Sequence, residues 1–403
     1  MKRCSKMKVS GIICEYNPFH NGHARHIAET RRNGATHIVC VMSGGFVQRG
    51  DVAIMDKLAR ARLAVRSGAD LVIELPVQYC LAPAEKFAEG AVWLLHSLGA
   101  VDELSFGSEC GDISRLAHAM ITSETAAVEY NEEIKSIMEK GYTYPRALSS
   151  VINGMDPEAA AVISEPNNLL AIEYLRALRS FSSPMRPFTV KRDKAGHDSP
   201  LPEDGMASAS YIREQISSGN DISAFTTPLW AEAVQRAINA GKTADITRLE
   251  RVLLYKLRTS SPEEIAGLFD VGQGLENRIY GARMSGSLEE LLYAVKTKRY
   301  TMARIRRILL SLLIGVNRQD MTHMPPYGRI LAFNEGGREI LARAKDRASI
   351  PFGSSLAKLS QKNRTARRFA ELEAAASDIY GLALDTITSS QEDLRAKIQI
   401  DME

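Results

Sequence analysis

Gly11-Ile-Ile-Cys-Glu-Tyr-Asn-Pro-Phe-His20-Asn-Gly-His23 runs from an apolar, strand-like pattern into a turn rich in Asn, Pro and Gly. Two histidines three residues apart then stand where a helix begins. Positions i and i+3 share one face of a helical turn, and a helix N-terminus carries partial positive charge and free N–H groups. Such a place suits the phosphates of a nucleotide, and Gly22 lets the backbone approach them closely. The bland alternative is a capping histidine with a solvated neighbour. Metal binding through the HxxH spacing is another, but no third ligand stands nearby in the sequence.

Outward from this stretch, strand and helix signals alternate. Val9–Glu15, Thr36–Met42, Asp70–Leu75 and Val101–Phe106 read as strands; His23–Arg32, Ala53–Ser67 and Pro83–Leu98 read as helices. Strands separated by helix-length segments predict βαβ units and a parallel sheet. Ligands bind such sheets outside the carboxyl ends of the strands. Three segments follow those ends: the loop after Glu15, Ser43-Gly-Gly-Phe-Val-Gln-Arg-Gly50, and Phe106-Gly-Ser-Glu109.

The character changes after Ile113. Residues 113–181 read as mainly helical, broken near Tyr144-Pro145, Asn153-Gly154 and Pro166. Pro187–Lys191 reads as a fifth strand, Asp193–Met206 as a polar loop, and Ser208-Ala-Ser210-Tyr-Ile-Arg213 as the opening of another helix. From about Pro228 strand signals nearly vanish. The expected organisation is an α/β nucleotide-binding domain over 1–227 with a helical insertion at about 113–181, then a helical domain over 228–403.

With 403 residues, 45% of them apolar and 25% charged, the composition is that of an ordinary folded protein with a sizeable core. A net charge of +3 means that any nucleic-acid surface must come from local clustering. The five cysteines, Cys4, Cys14, Cys40, Cys80 and Cys110, form no CxxC pair and are odd in number. They read as reduced thiols of a cytoplasmic protein. Glu15 interrupts the apolar run after the basic start, and no run approaches the ~20 residues of a membrane span.

One basic cluster is conspicuous. Lys296, Lys298, Arg299, Arg304, Arg306 and Arg307 crowd a stretch without acidic residues, with Tyr300 among them. Ile305, Ile308, Leu309 and Leu312 are spaced to bury one helix face while arginines occupy another. Lys358, Lys362, Arg364, Arg367 and Arg368 form a second group. Phosphate oxygens of RNA are the natural partner, and two solvated helix faces are the alternative. Gln48 and Arg49 stand in a loop where they would meet a ligand or solvent. Asp70 and Glu74 read as organisers of strand ends.

HNGH after a first strand resembles the HxGH signature of the nucleotidyltransferase superfamily. The ordered set EYNPFHNGH, SGGFVQRGD, DLVIELP, FGSE and EPNNLLAIEYLRAL, with GQGLENRI further on, resembles one narrower family, tRNA(Met) cytidine acetate ligase. The resemblance implies a Rossmann-like fold and ATP, with Mg²⁺ carried on its phosphates and no metal site made by protein alone. It implies activation of acetate as acetyl-adenylate and acetylation of N4 of the wobble cytidine of elongator tRNA(Met). It would place Ile13, Cys14, Glu15, Tyr16, Asn17, Pro18, Phe19, His20, Asn21, Gly22, His23, Ala24, Arg25 and His26 around ATP. His20 and His23 would face its phosphates, and Gly107, Asn167 or Asn168, and Arg192 would also contact the nucleotide. Between Asn167 and Asn168, one would cap a helix while the other reaches the ligand. Related enzymes put a Ser/Thr-rich turn and an Arg on the β- and γ-phosphates, a role Ser208, Ser210 and Arg213 would fill here. Gly45 departs from the pattern, which has Asn at that place. The alternatives are a small-molecule adenylyl- or cytidylyltransferase, and a catalytically idle RNA-binding protein that retains the fold. Oligomeric state is open.

Overall fold

The computed structural model describes residues 7–142, 144–192, 207–272 and 274–401. Cys4, Gln273 and the loop expected over 193–206 lie outside them. The strands are β1 (Val9–Cys14), β2 (His37–Ser43), β3 (Phe46–Val47), β4 (Asp51–Val52), β5 (Leu71–Leu75), β6 (Glu103–Ser108), β7 (Arg186–Lys191), β8 (Gly328–Phe333), β9 (Phe352–Gly353) and β10 (Gln399–Ile400). Eight of them make one sheet in the order β10-β8-β5-β2-β1-β6-β7, with β9 beside β8. β3 and β4 form a separate antiparallel hairpin.

The pairs β5–β2, β2–β1, β1–β6 and β6–β7 are all parallel. Period-two alternation sends the apolar side chains of the central strands to opposite faces. Val39, Val41, Leu71 and Ile73 pack with Ala88, Ala91 and Leu95 of the helix Ala84–Leu98. Ile12, Ile38, Cys40 and Met42 pack on the other face with Ile27, Ala61, Ala64 and Trp230. From β1 the chain steps to β2 and β5 in one direction and to β6 and β7 in the other. A crevice therefore opens at the carboxyl ends of β1 and β6, the topological switch point where open α/β sheets bind ligands.

Several boundaries differ from expectation. The helix expected over Ala53–Ser67 begins at Lys57, because the Asp56 carboxylate accepts from the N–H groups of Leu58 and Ala59 and fixes the start there. Asn153-Gly154 does not break its helix, which runs Tyr144–Met155 and ends before Asp156, the cap of the next helix. The larger correction concerns the second half. Helices fill it as far as Met321, but β8 then returns to the central sheet antiparallel to β5, and β9 and β10 join β8. Gly328-Arg-Ile-Leu-Ala-Phe333 was hidden as a strand by its shortness and by the arginine within it.

That arginine is what the fold uses. Arg329 on β8 meets Glu74 of β5 at 3.0 Å and Asp393 at 2.7 Å. Lys57 reaches the same two carboxylates at 2.6 and 2.8 Å, and Glu373 at 3.6 Å. All five groups are buried. Three carboxylates face two cations, and burial beside Glu74 pushes the Glu373 carboxyl well up, towards its neutral form. Lys57 and Arg329 hold Asp393 down at about 2. Glu74 is thus a strand-end organiser, as is Asp70, which accepts from the Arg31 guanidinium and the Ile38 N–H. Among the described residues no helix is long and apolar enough to cross a membrane.

Candidate active site

The helix that follows β1 spans Asn21–Arg32, and its two histidines build its start. His20 is the N-cap, in extended conformation, and its Nδ1 accepts from the Gly22 N–H at 3.1 Å. His23 Nδ1 accepts from the His20 N–H at 3.2 Å. This is a capping box made of imidazoles. The rings stack with centroids 3.7 Å apart and planes inclined by 25°. Because both Nδ1 atoms accept, each neutral ring carries its proton on Nε2. Burial, then the proximity of His20 and Arg192, holds His23 well below the usual histidine range, so it is neutral near pH 7. The result is a pair of N–H donors at the partially positive end of a helix, whose own first N–H groups are taken by Phe225 O, His20 Nδ1 and His20 O. It is an anion cradle.

The loop that presents this pair is fixed from below and from the side. Phe19 is buried and stacks on Trp230 at 5.3 Å and 10°. Tyr16 is buried too and takes a left-handed φ of +45°. Burial drives the Cys14 thiol well above its ordinary value, so it is inert packing. Asn17 binds within the protein: its amide donates to Val52 O at 3.4 Å and its carbonyl accepts from Ile54 N–H at 2.8 Å. The segment after Ala207 closes over the loop, with Asn21 N–H on Phe225 O at 3.0 Å and the Thr226 hydroxyl on Phe19 O at 2.7 Å. Cys14, Tyr16, Asn17 and Phe19 are therefore the support of the cradle, their side chains buried in the protein. Ile13 is half-buried against the core beneath.

The opposite wall comes from β6, β7 and the helix Pro166–Ser180. Glu109 caps that helix, accepting from Asn167 N–H at 3.1 Å and Asn168 N–H at 2.7 Å. The two asparagines part company. Asn168 is buried, accepts from Cys110 N–H and donates to Val162 O, so its side chain is held inside the protein. Asn167 Oδ1 instead accepts from Arg192 at 2.9 Å, on the crevice side. A Cβ on Gly107 would come within 3.1 Å of the Arg192 side chain, so glycine here lets Arg192 lie across β6. Burial above all, and the Arg192 charge after it, lower the pKa of both His23 and His26. Gly107, Asn167, Arg192, His23 and His26 are thus gathered at one crevice.

Arg213 donates to Asn17 O at 2.8 Å and to Ser210 Oγ at 3.4 Å, while Ser208 caps its own helix through Tyr211 N–H. Arg213 thereby lies beside the histidine loop, with Asp51 and Glu15 as its nearest acidic neighbours. Burial raises the pKa of Glu15, whose carboxylate accepts from Gln48 N–H at 2.7 Å. Arg60, in the sequence only one of several basic residues of a helix, is buried and donates to the carbonyls of Glu15, Ser43, Gly44 and Met55. It ties the ends of β1 and β2 together, and an arginine among alanines and leucines is too faint a signal to have revealed this. Gly45 has a physical reason as well: a Cβ there would stand 3.0–3.2 Å from Tyr380, whose hydroxyl donates to Ala53 O.

The basic residues divide. Arg307 is buried, pairs with Asp270 at 3.5 Å and donates to Gln48 O at 3.2 Å. Arg304 pairs with Asp270 at 3.2 Å, Arg299 donates to Met138 O at 2.8 Å, and Arg368 is bound to Asp320. Gly50, at φ +72°, abuts Arg306 Cβ and Arg307 N so closely that the hairpin tip rests on the helix Met302–Ile314. The expected arginine face at 304–307 is therefore a joint between the halves of the molecule. Lys296, Lys298, Lys358, Lys362, Arg364 and Arg367 are exposed. Among the described residues no three His, Cys, Asp or Glu side chains are grouped to hold a metal ion.

A parallel sheet with a histidine-capped helix at its switch point defines a nucleotidyltransferase, and the pattern of the HIGH Nucleotidyl Transferase family matches residues 7–395. The chain belongs, more narrowly, to the tRNA(Met) cytidine acetate ligase family. It is 38% identical over 392 residues to the tRNA(Met) cytidine acetate ligase of Acetivibrio thermocellus, covering 93% of this chain and 94% of that one. It is 37% identical to that of Alkaliphilus metalliredigens, covering 94% and 95%. The crystal structure of Thermotoga maritima TmcAL superposes with a TM-score of 0.91 at 29% identity, over 98% of this chain and 100% of that one. The form bound with alpha-thio ATP gives 0.88 at 28% identity, with the same coverage.

Proposed function

We propose that the protein is an ATP-dependent ligase that activates acetate as acetyl-adenylate and acetylates N4 of the wobble cytidine of elongator tRNA(Met), in the cytoplasm. The stacked His20–His23 capping box at the switch point of the sheet carries this reading. Its two Nε2–H groups supply fixed donors, and the helix N-terminus a partial positive charge, where charge accumulates as an acetate oxygen attacks the α-phosphorus and pyrophosphate leaves. Preorganised donors of this kind need no reorganisation during the step. The cytidine amine then attacks the acetyl carbon, the C–O bond to AMP breaks, and the amine proton passes to solvent. No enzyme nucleophile is required; orientation does the remaining work.

Gly107, Asn167 and Arg192 would hold the nucleoside side of ATP, and Ser210 and Arg213 its outer phosphates. Mg²⁺ would ride on phosphate oxygens and water. The exposed cations, Lys296 and Lys298 together with Lys358, Lys362, Arg364 and Arg367, are the residues free to meet tRNA phosphates. The chemistry is tested with ATP, labelled acetate and unmodified elongator tRNA(Met). Label should appear as N4-acetylcytidine at the wobble position, with acetate-dependent ATP–pyrophosphate exchange abolished by His23→Ala. Equal labelling of initiator tRNA, or exchange that ignores acetate, would sink the claim. The second of these results would favour a small-molecule nucleotidyltransferase.

A further inference from the structure

His26 lies one turn beyond His23 on the same helix. Its Nε2 is 2.9 Å from Ser105 Oγ, and Ser105 Oγ is 2.7 Å from Thr30 Oγ1. The Thr30 hydroxyl donates to His26 O at 2.8 Å. A carbonyl can only accept, so the one Thr30 proton is committed to it. Ser105 must then donate to Thr30 Oγ1, which leaves Ser105 Oγ to accept from His26 Nε2–H. A chain of three hydrogen bonds thereby fixes the tautomer, with Nδ1 as a bare acceptor. Ser105 and Thr30 are buried, so solvent does not compete for the chain.

Nδ1 makes no hydrogen bond to any described residue, while its surroundings belong to the crevice. Ser105 and Gly107 alternate on β6 and so share one face of that strand, the face the helix Asn21–Arg32 covers. Arg192, which crosses Gly107, acts on His26 and His23 alike. The cradle for phosphate thus lies at the helix start. A rigid acceptor follows about 4.5 Å further along the axis, three residues at the helical rise. In a nucleotide the group one step from the α-phosphate is the ribose, whose hydroxyls are donors.

We propose that His26 Nδ1 accepts a hydrogen bond from a ribose hydroxyl of the bound nucleotide, and so makes the site prefer ribonucleotides over deoxynucleotides. This rests on the adenylation reading above. A fixed acceptor cannot turn into a donor to suit a ligand lacking the hydroxyl, and a buried polar partner left unmatched is costly.

The test compares ATP, 2′-deoxy-ATP and 3′-deoxy-ATP in acetate-dependent pyrophosphate exchange. The unaltered enzyme should prefer ATP over one of the deoxy forms by about tenfold in kcat/KM, the value of one well-placed hydrogen bond. His26→Ala should lower the rate with ATP yet remove most of that preference. Ser105→Ala keeps the imidazole but frees its tautomer, and should narrow the preference as well. Nitrogen-15 histidine spectra give an arm independent of activity: His26 should carry its proton on Nε2, and Ser105→Ala should shift it towards Nδ1. An undiminished preference in both variants, or a proton on Nδ1 in the unaltered enzyme, would overturn the proposal. Exchange that ignores acetate would instead strike the adenylation reading and leave the tautomer result to decide this one.

Discussion

His23 and His26 show how burial changes what a residue does. Burial and the Arg192 charge hold His23 well below the ordinary histidine value and His26 at about 4, so both stay neutral where exposed histidines are charged. The unfolded chain takes up protons at these positions near pH 6.5, and the folded protein does not. Stability on this account is fully present above about pH 6.5 and declines as pH falls towards 4. The thermal midpoint should therefore drop between pH 7 and pH 5, and His26→Asn should make that drop smaller. An unchanged slope in the variant would show that His26 is not buried neutral. The asparagine pair teaches a related lesson. Two adjacent identical side chains after Pro166 look equivalent in the sequence. Helix geometry puts Asn168 inward and Asn167 beside Arg192, a distinction that exists only once the helix is docked.

Among the elements, strands legible by their apolar runs were placed to within a residue or two, because a buried parallel strand must be apolar on both faces. β8 escaped because its charge is satisfied by partners hundreds of residues away or on neighbouring elements. That network gives a sharp expectation. Lys57→Met leaves Glu74 and Asp393 short of a cation in a buried setting, and should cost about 3–5 kcal/mol. Urea unfolding measures it; a loss below about 1 kcal/mol would mean that solvent reaches these groups. The hairpin of β3 and β4 is the other element whose role is tertiary. Its Gly50 fits against the backbone of the helix Met302–Ile314, and its Gln48 joins Glu15 to Arg307.

For the whole molecule, that joint separates two kinds of basic residue. Arg307 is buried and Arg304 half-buried, both paired with Asp270, so Arg307→Ala should impair adenylation and tRNA acetylation together. Changing Lys358, Lys362, Arg364 and Arg367 to Ala should act differently. The acetate-dependent exchange, which uses no tRNA, should keep its rate while KM for tRNA rises. The dependence of tRNA binding on salt should also flatten, since each lost phosphate contact removes about 0.7–0.9 from the log–log slope. Parallel loss of both activities in the four-residue variant would refute a docking role for this surface.

By itself the sequence determined the parallel α/β strands, the helix that begins at the histidine pair and the family, because these rest on local patterning and on several motifs in one order along the chain. Only the tertiary structure decided which of the motif's polar residues face the crevice, that the second half returns a strand to the first, and that the arginines at 304 and 307 pair with Asp270. These depend on contacts between segments far apart in the chain, where burial and the partner at hand, and not residue type, set the charge, the tautomer and the role of each side chain.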